Sequence, residues 1–60
     1  MTAYHLYFLD SRDRVFRRVD LECRDDEHAI EIGTAHVHEH GMELWHAERM
    51  VKRFEPSTLN

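Results

Sequence analysis

The stretch Val15-Phe16-Arg17-Arg18-Val19-Asp20-Leu21-Glu22-Cys23-Arg24-Asp25-Asp26-Glu27-His28-Ala29-Ile30 changes its hydrophobic period part-way along. Up to Cys23 it alternates. Val15, Val19, Leu21 and Cys23 share one parity and Phe16, Arg18, Asp20 and Glu22 the other, the pattern of an extended strand whose inward face is marked from Val19 onward. From Arg24 the period lengthens. Asp25 or Asp26 is placed to accept a bond from the free N–H groups of a first helical turn, where acids also complement the helix dipole. On a wheel of about 100° per residue, Ala29, Ile30, Gly33, His36, Val37 and His40 share one arc with Ile32 at its edge, and Glu27, Glu31, Thr34 and His38 lie opposite. Gly33 in that arc permits close approach to a sheet, at a helix-propensity cost of about 1 kcal/mol relative to Ala. Gly41 fits the left-handed residue just past a helix end, so the expected helix runs from Asp26 to His40.

Upstream, Tyr4 to Leu9 is aromatic or branched throughout and reads as a strand with Tyr4, Leu6 and Phe8 on one face and His5, Tyr7 and Leu9 on the other. The polar cluster Asp10 to Arg14 closes a hairpin with the strand that begins at Val15. Downstream, Met42 to His46 and Met50 to Phe54 form a second strand pair around Ala47-Glu48-Arg49, and Pro56 ends the regular structure. A two-residue loop there pairs Leu44 with Val51 and Glu43 with Lys52; a three-residue loop pairs Trp45 with Val51 and Glu43 with Arg53. The expected fold is therefore α+β, a two-layer ββαββ arrangement over 1–60 with one helix on one face of a mostly antiparallel sheet and a frayed tail at 57–60. One helix covers one face. Tyr7, Leu9, Phe16, Trp45 and Phe54 are then the candidates to populate the other, and a contiguous apolar face of that kind marks an interface.

Size points the same way. Sixty residues fall below the roughly 100–200 usual per domain, and a core at this scale rarely supplies more than about 3–5 kcal/mol, so association with a second copy would stabilise the chain. At 42% hydrophobic and 33% charged residues the chain has the balance of a folded domain rather than a disordered tail. Eight Lys and Arg against twelve Asp and Glu leave a net charge of -4, the wrong sign for a protein that neutralises phosphates; nucleic acid is not an expected partner, although Tyr7, Phe16 and the arginines have the composition of a single-strand binder. A single cysteine, Cys23, cannot form an intramolecular disulfide, which favours a reducing cytoplasm. The apolar run Leu6 to Leu9 stops after four residues, and neither a signal peptide nor a membrane span is expected.

Three further patterns bear on chemistry. The run His36-Val37-His38-Glu39-His40 matches His-x-x-Glu-His, the inverted zinc-peptidase signature, and on a helix His36 and His40 would share one side and could hold zinc together. A third protein ligand, such as Glu43, and a cleft would still be needed, so packing of both rings at the core margin is the favoured reading, ahead of a metal or small-ligand site. Cys23, just before a helix start, has the position of an activated thiol, yet it continues the inward parity of Val19 and Leu21 and is expected in the core. Arg12, Arg14, Arg17 and Arg18 cluster around the first hairpin while acids gather at Asp25 to Glu31 and again toward Glu39 to Glu48; an ordinary solvated hairpin is the favoured reading, ahead of a polarity able to orient a self-complementary dimer or guide a charged partner.

The strings Tyr7-Phe8-Leu9-Asp10, Cys23-x-Asp25-Asp26-Glu27-x-Ala29-Ile30 and Glu43-Leu44-Trp45, with Arg49 and Val51 beyond, resemble a family of short alphaproteobacterial proteins of about this length. The resemblance extends over nearly the whole chain and implies a stand-alone bacterial protein. That family carries no assigned activity, cofactor or catalytic residue, so no functional residue transfers. The expectation from the sequence is a cytoplasmic, non-enzymatic protein–protein interaction module, homodimeric through its sheet face, with a metal- or small-ligand-binding protein using His36 and His40 as the alternative.

Overall fold

The computed structural model describes residues 1–56. The elements follow in the order β1 (Thr2–Leu9), β2 (Val15–Cys23), α1 (Asp26–Thr34), β3 (Met42–His46) and β4 (Arg49–Phe54). The strands form one antiparallel sheet in the order β2-β1-β3-β4, and α1 packs on one face, which gives the α+β ββαββ fold. The tail expected at 57–60 lies outside the described residues. Among the described residues no helix is long and apolar enough to cross a membrane.

The core lies between helix and sheet. Tyr4, Leu6 and Phe8 of β1, Cys23 of β2, Met42 and Leu44 of β3 and Phe54 of β4 are buried there with Ala29 of α1, and Val19, Leu21, Ile30, Ile32 and Val51 close its margin. Alternation places Tyr4, Leu6 and Phe8 together, and the register sets Leu6 between Val19 and Leu44. Burying a side chain such as Leu6 or Leu44 contributes about 1.5–3 kcal/mol, so a handful of residues carries most of the stability of so small a domain.

Two bulges decide which side chains join that core. In the first hairpin Leu9 pairs with Val15 but Phe8 pairs with Arg17, leaving Phe16 as the extra residue. In the second, the loop is the two residues Ala47-Glu48, with His46 opposite Arg49 and Trp45 opposite Met50; then Val51 is skipped, so that Leu44 pairs with Lys52, Glu43 with Arg53 and Met42 with Phe54. The loop is thus the shorter of the two expected and the Glu43–Arg53 pairing that of the longer one. An extra residue reverses the parity of everything beyond it. Arg53 therefore turns to the uncovered face and Phe54 to the helix.

The first hairpin is closed by its own side chain. Asp10 accepts bonds from the N–H groups of Arg12 (2.8 Å) and Arg14 (3.0 Å), its N–H donates to the Arg14 carbonyl (2.8 Å), and Asp13 sits at φ 61°. Those two backbone bonds hold the Asp10 carboxyl below its ordinary range, although partial burial opposes them.

The helix start follows the expected capping chemistry and its end does not. Asp25 is the N-cap, accepting from the His28 N–H at 2.9 Å, while His28 Nδ1 accepts from the Arg24 N–H at 3.1 Å. The helix stops at Thr34, six residues short of His40. Thr34 Oγ1 donates to the Ile30 carbonyl (2.8 Å) and His36 Nδ1–H to that of Ile32 (2.9 Å), while the N–H groups of His36 and Val37 bond three residues back, tightening the last turn. Side chains thus satisfy the terminal carbonyls in a segment of weak helix formers. Gly41 does not cap it. Neither glycine has positive φ; Gly41 is buried and leads into β3, where its carbonyl accepts the Leu9 N–H at 2.9 Å.

Candidate functional site

The face of the sheet away from α1 has no helix over it. The register lays its central side chains in two rows across β2, β1, β3 and β4: Arg18, Tyr7, Glu43 and Arg53 in one, Asp20, His5, Trp45 and Met50 in the next. Tyr7, His5, Glu43 and Trp45, on the inner strands, are half-buried, and the others are exposed. On the β2 side His5 Nδ1–H donates to Asp20 Oδ1 at 2.9 Å and Arg18 Nε approaches the same oxygen at 3.1 Å. The His5 bond, opposed by partial burial and aided by the Arg18 charge, holds the Asp20 carboxyl below its ordinary range. On the β4 side Trp45 Nε1–H donates to Glu43 Oε1 at 3.0 Å, and Arg53 donates to Glu43 Oε2 at 3.1 Å. Arg53 also reaches Asp13 at 3.8 Å and Glu55 at 3.9 Å, which ties the first hairpin's turn to the opposite edge of the sheet. The outcome is two aromatic side chains set among paired charges of both signs.

Of the five side chains expected on an apolar outer face, the structure puts Tyr7 and Trp45 there, buries Leu9 and moves Phe16 and Phe54. Phe54 is 4% exposed and packs under the helix, because the bulge at Val51 reversed its parity. Leu9 is 2% exposed beside Gly41, its N–H donating to the Gly41 carbonyl at 2.9 Å and its Cδ1 at ordinary contact distance, 3.5 Å, from where a Gly41 Cβ would sit. Phe16 is 59% exposed, but as the bulged residue it stands beside the core ring of Phe8 (6.5 Å) and His38 (6.1 Å), away from Tyr7. The uncovered face is therefore more charged and less aromatic than the alternation of residues implies.

The other candidates also find places. His36 and His40 do not share a helix side, since both follow the helix, and His36 Nδ1 is engaged by the Ile32 carbonyl. His38 takes the central position instead, with its ring 5.3 Å from Phe8 and 5.9 Å from His40 and its Nε2–H donated to the Gly41 carbonyl at 3.2 Å. Among the described residues no three His, Cys, Asp or Glu side chains come together in a way that could hold a metal ion. Cys23 is fully buried, and that burial raises its thiol pKa, the reverse of an activated nucleophile. The four hairpin arginines are exposed; Arg17 lies over the Phe8 ring at 5.6 Å and Arg14 is 3.8 Å from Asp10.

Sequence reading missed one cluster. Tyr4 Oη–H donates to Asp26 Oδ1 at 2.7 Å, and Arg49 donates to both Asp26 oxygens at 3.2 and 3.3 Å, joining β1, the first helical turn and β4. The His46 ring lies 5.3 Å from that of Tyr4. The available signal was a tyrosine with a hydroxyl to satisfy at a core position and two adjacent aspartates, of which the cap uses one. No protein-family model, curated protein or solved structure matches the chain.

Proposed function

We propose that this chain is a small, non-enzymatic protein–protein interaction module that works as a homodimer through the uncovered face of its sheet. The observation that carries this reading is the composition of the two central rows. Tyr7 and Trp45 stand there with two positive side chains, Arg18 and Arg53, and two negative ones, Asp20 and Glu43. The charges of those two rows sum to zero on a chain whose net charge is -4, so the centre of this face adds nothing to the repulsion between two copies. Tryptophan, tyrosine and arginine are also the residue types that most often carry binding energy at interfaces. The groups that could serve catalysis are committed elsewhere: Cys23 is sealed in the core, and His36 and His38 donate to backbone carbonyls.

The acidic balance disfavours nucleic acid as a partner, and a lone, buried thiol suits a reducing cytoplasm. Multi-angle light scattering tests the proposal. A mass of twice 7.3 kDa at micromolar to sub-millimolar concentration supports it, and the 7.3 kDa mass throughout that range overturns it.

A further inference from the structure

The two rows also contain the instructions for one particular dimer. Arg18 and Asp20 are neighbours along β2, one in each row, and so are Glu43 and Trp45 along β3. Within one chain these neighbours already pair, Arg18 with Asp20 at 3.1 Å and Trp45 with Glu43 at 3.0 Å.

A two-fold axis lying in the interface and running across the strands, midway between the rows, exchanges the rows and leaves each strand over its own copy. Arg18 then faces the partner's Asp20, Glu43 faces the partner's Trp45, and Tyr7 faces the partner's His5. Each contact occurs twice, as an isologous interface requires. The Asp20 carboxylate, bonded to His5 and Arg18, keeps acceptor capacity for a second guanidinium, and the long arginine side chains accommodate the crossing of about 30° usual for packed sheets.

The other simple axis, parallel to the strands, puts β2 over the partner's β4. It sets Arg18 against the partner's Arg53, like charge on like charge, twice. Charge therefore separates the two arrangements.

Resting on the homodimer reading above, we infer that the second copy docks face to face about the axis across the strands, with reciprocal Arg18–Asp20 pairs and reciprocal Glu43–Trp45 contacts fixing its orientation.

Charge reversal tests the geometry. Arg18→Glu opposes two acids to each other at both reciprocal contacts, and Asp20→Arg opposes two bases, so each variant alone dimerises about tenfold or more weakly than wild type. Both side chains are more than half exposed, so neither change disturbs the core. An equimolar mixture behaves differently. In the mixed dimer the reversed side chain at position 18 of one chain faces the reversed side chain at position 20 of the other, and the second contact retains its wild-type pair. The mixture recovers the wild-type dissociation constant although the 18–20 pair within each chain stays mismatched, which separates the contact between chains from the one within. Sedimentation equilibrium on each variant, the mixture and wild type reads this directly. Recovery in the mixture supports the inferred axis. A wild-type dimer without recovery overturns the axis and leaves the homodimer standing, and a monomeric wild type removes both.

Discussion

Gly33 and Phe54 share one space. A Cβ built on Gly33 would lie 2.7 Å from Cζ and 3.0 Å from Cε2 of Phe54, closer than carbon atoms approach without displacement. The absent side chain in the helix is thus the cavity that receives the ring at the end of β4, and Lys52 Nζ lies 5.7 Å from the centroid of the same ring. The bulge at Val51 delivers Phe54 to this side of the sheet, and Gly33 admits it. Neither residue explains its position without the other.

Gly33→Ala sets two effects against each other. Helix propensity favours alanine by about 1 kcal/mol, while forcing a methyl group into a filled site costs about 1–3 kcal/mol. Because Phe54 is 4% exposed and has little room to retreat, overpacking wins, and the variant is less stable by about 1 kcal/mol. Phe54→Leu added to it recovers part of that loss. Urea denaturation of the four proteins measures the coupling; a Gly33→Ala variant as stable as wild type would show that the ring does not occupy the site.

The N-cap gives a second test. Asp25 satisfies the His28 N–H at 2.9 Å in a helix of only nine residues, so Asp25→Ala lowers stability by about 1 kcal/mol. Glu31→Ala, an exposed position beyond the first turn with its side chain outside the capping bonds, is the control. Equal denaturation midpoints for the two variants would remove Asp25 from the cap.

Much of this fold is legible in the sequence, and the reasons for the misses are physical. The change of period after Cys23, the aspartates behind it and the close-approach glycine are local signals, and each corresponds to an observed feature. The bulges at Phe16 and Val51 are not local. They arise from how two strands align, and each reverses the side-chain parity along its strand, so unbroken alternation puts Phe54 on the outer face where the structure has Arg53. The helix ends earlier than its wheel implies for another reason. Residues 35–40 continue the wheel, but a wheel does not register that Thr34 and His36 can bond the last carbonyls themselves. Of the outer face, the sequence identifies Tyr7 and Trp45; the charged partners that surround them become visible only with the register.

The second hairpin carries a correctable strain. Ala47, first residue of the two-residue loop, has φ 54°, a left-handed conformation that costs a residue with a Cβ about 1–2 kcal/mol. Glycine removes that cost but adds freedom to the unfolded chain worth about 0.4–1 kcal/mol. Ala47→Gly is accordingly more stable by about 0.5–1 kcal/mol. Asp13, at φ 61°, is a residue type that tolerates this region, so Asp13→Gly gains less. Thermal unfolding of both variants ranks them, and the opposite order would contradict the loop geometry.

The Tyr4–Asp26 bond makes stability depend on alkaline pH, with a sign fixed by the direction of the shift. The hydroxyl's bond to Asp26, then its burial, then the charge of that carboxylate, against the opposing charge of Arg49, push the Tyr4 pKa from 10.0 up to about 12. The folded chain therefore keeps a proton that the unfolded chain releases near pH 10. Between pH 10 and about 12 the unfolded state binds fewer protons, so this contribution is complete below pH 10 and is lost progressively as pH rises through the folded pKa. At the acid end the sign reverses. The bonds from Tyr4 and Arg49 hold the Asp26 carboxyl below its usual 3.8, so its contribution is present above that value and is lost as pH falls through the lower, folded pKa. Tyr4→Phe removes the hydroxyl, and with it the alkaline loss assigned to Tyr4. Other groups that titrate in alkali are common to both proteins, so the difference between their urea midpoints isolates this one: wild type starts ahead at about pH 8 to 9 and its lead over Tyr4→Phe shrinks toward pH 11. A lead that stays constant across that range would mean that the bond to Asp26 does not control the titration of Tyr4.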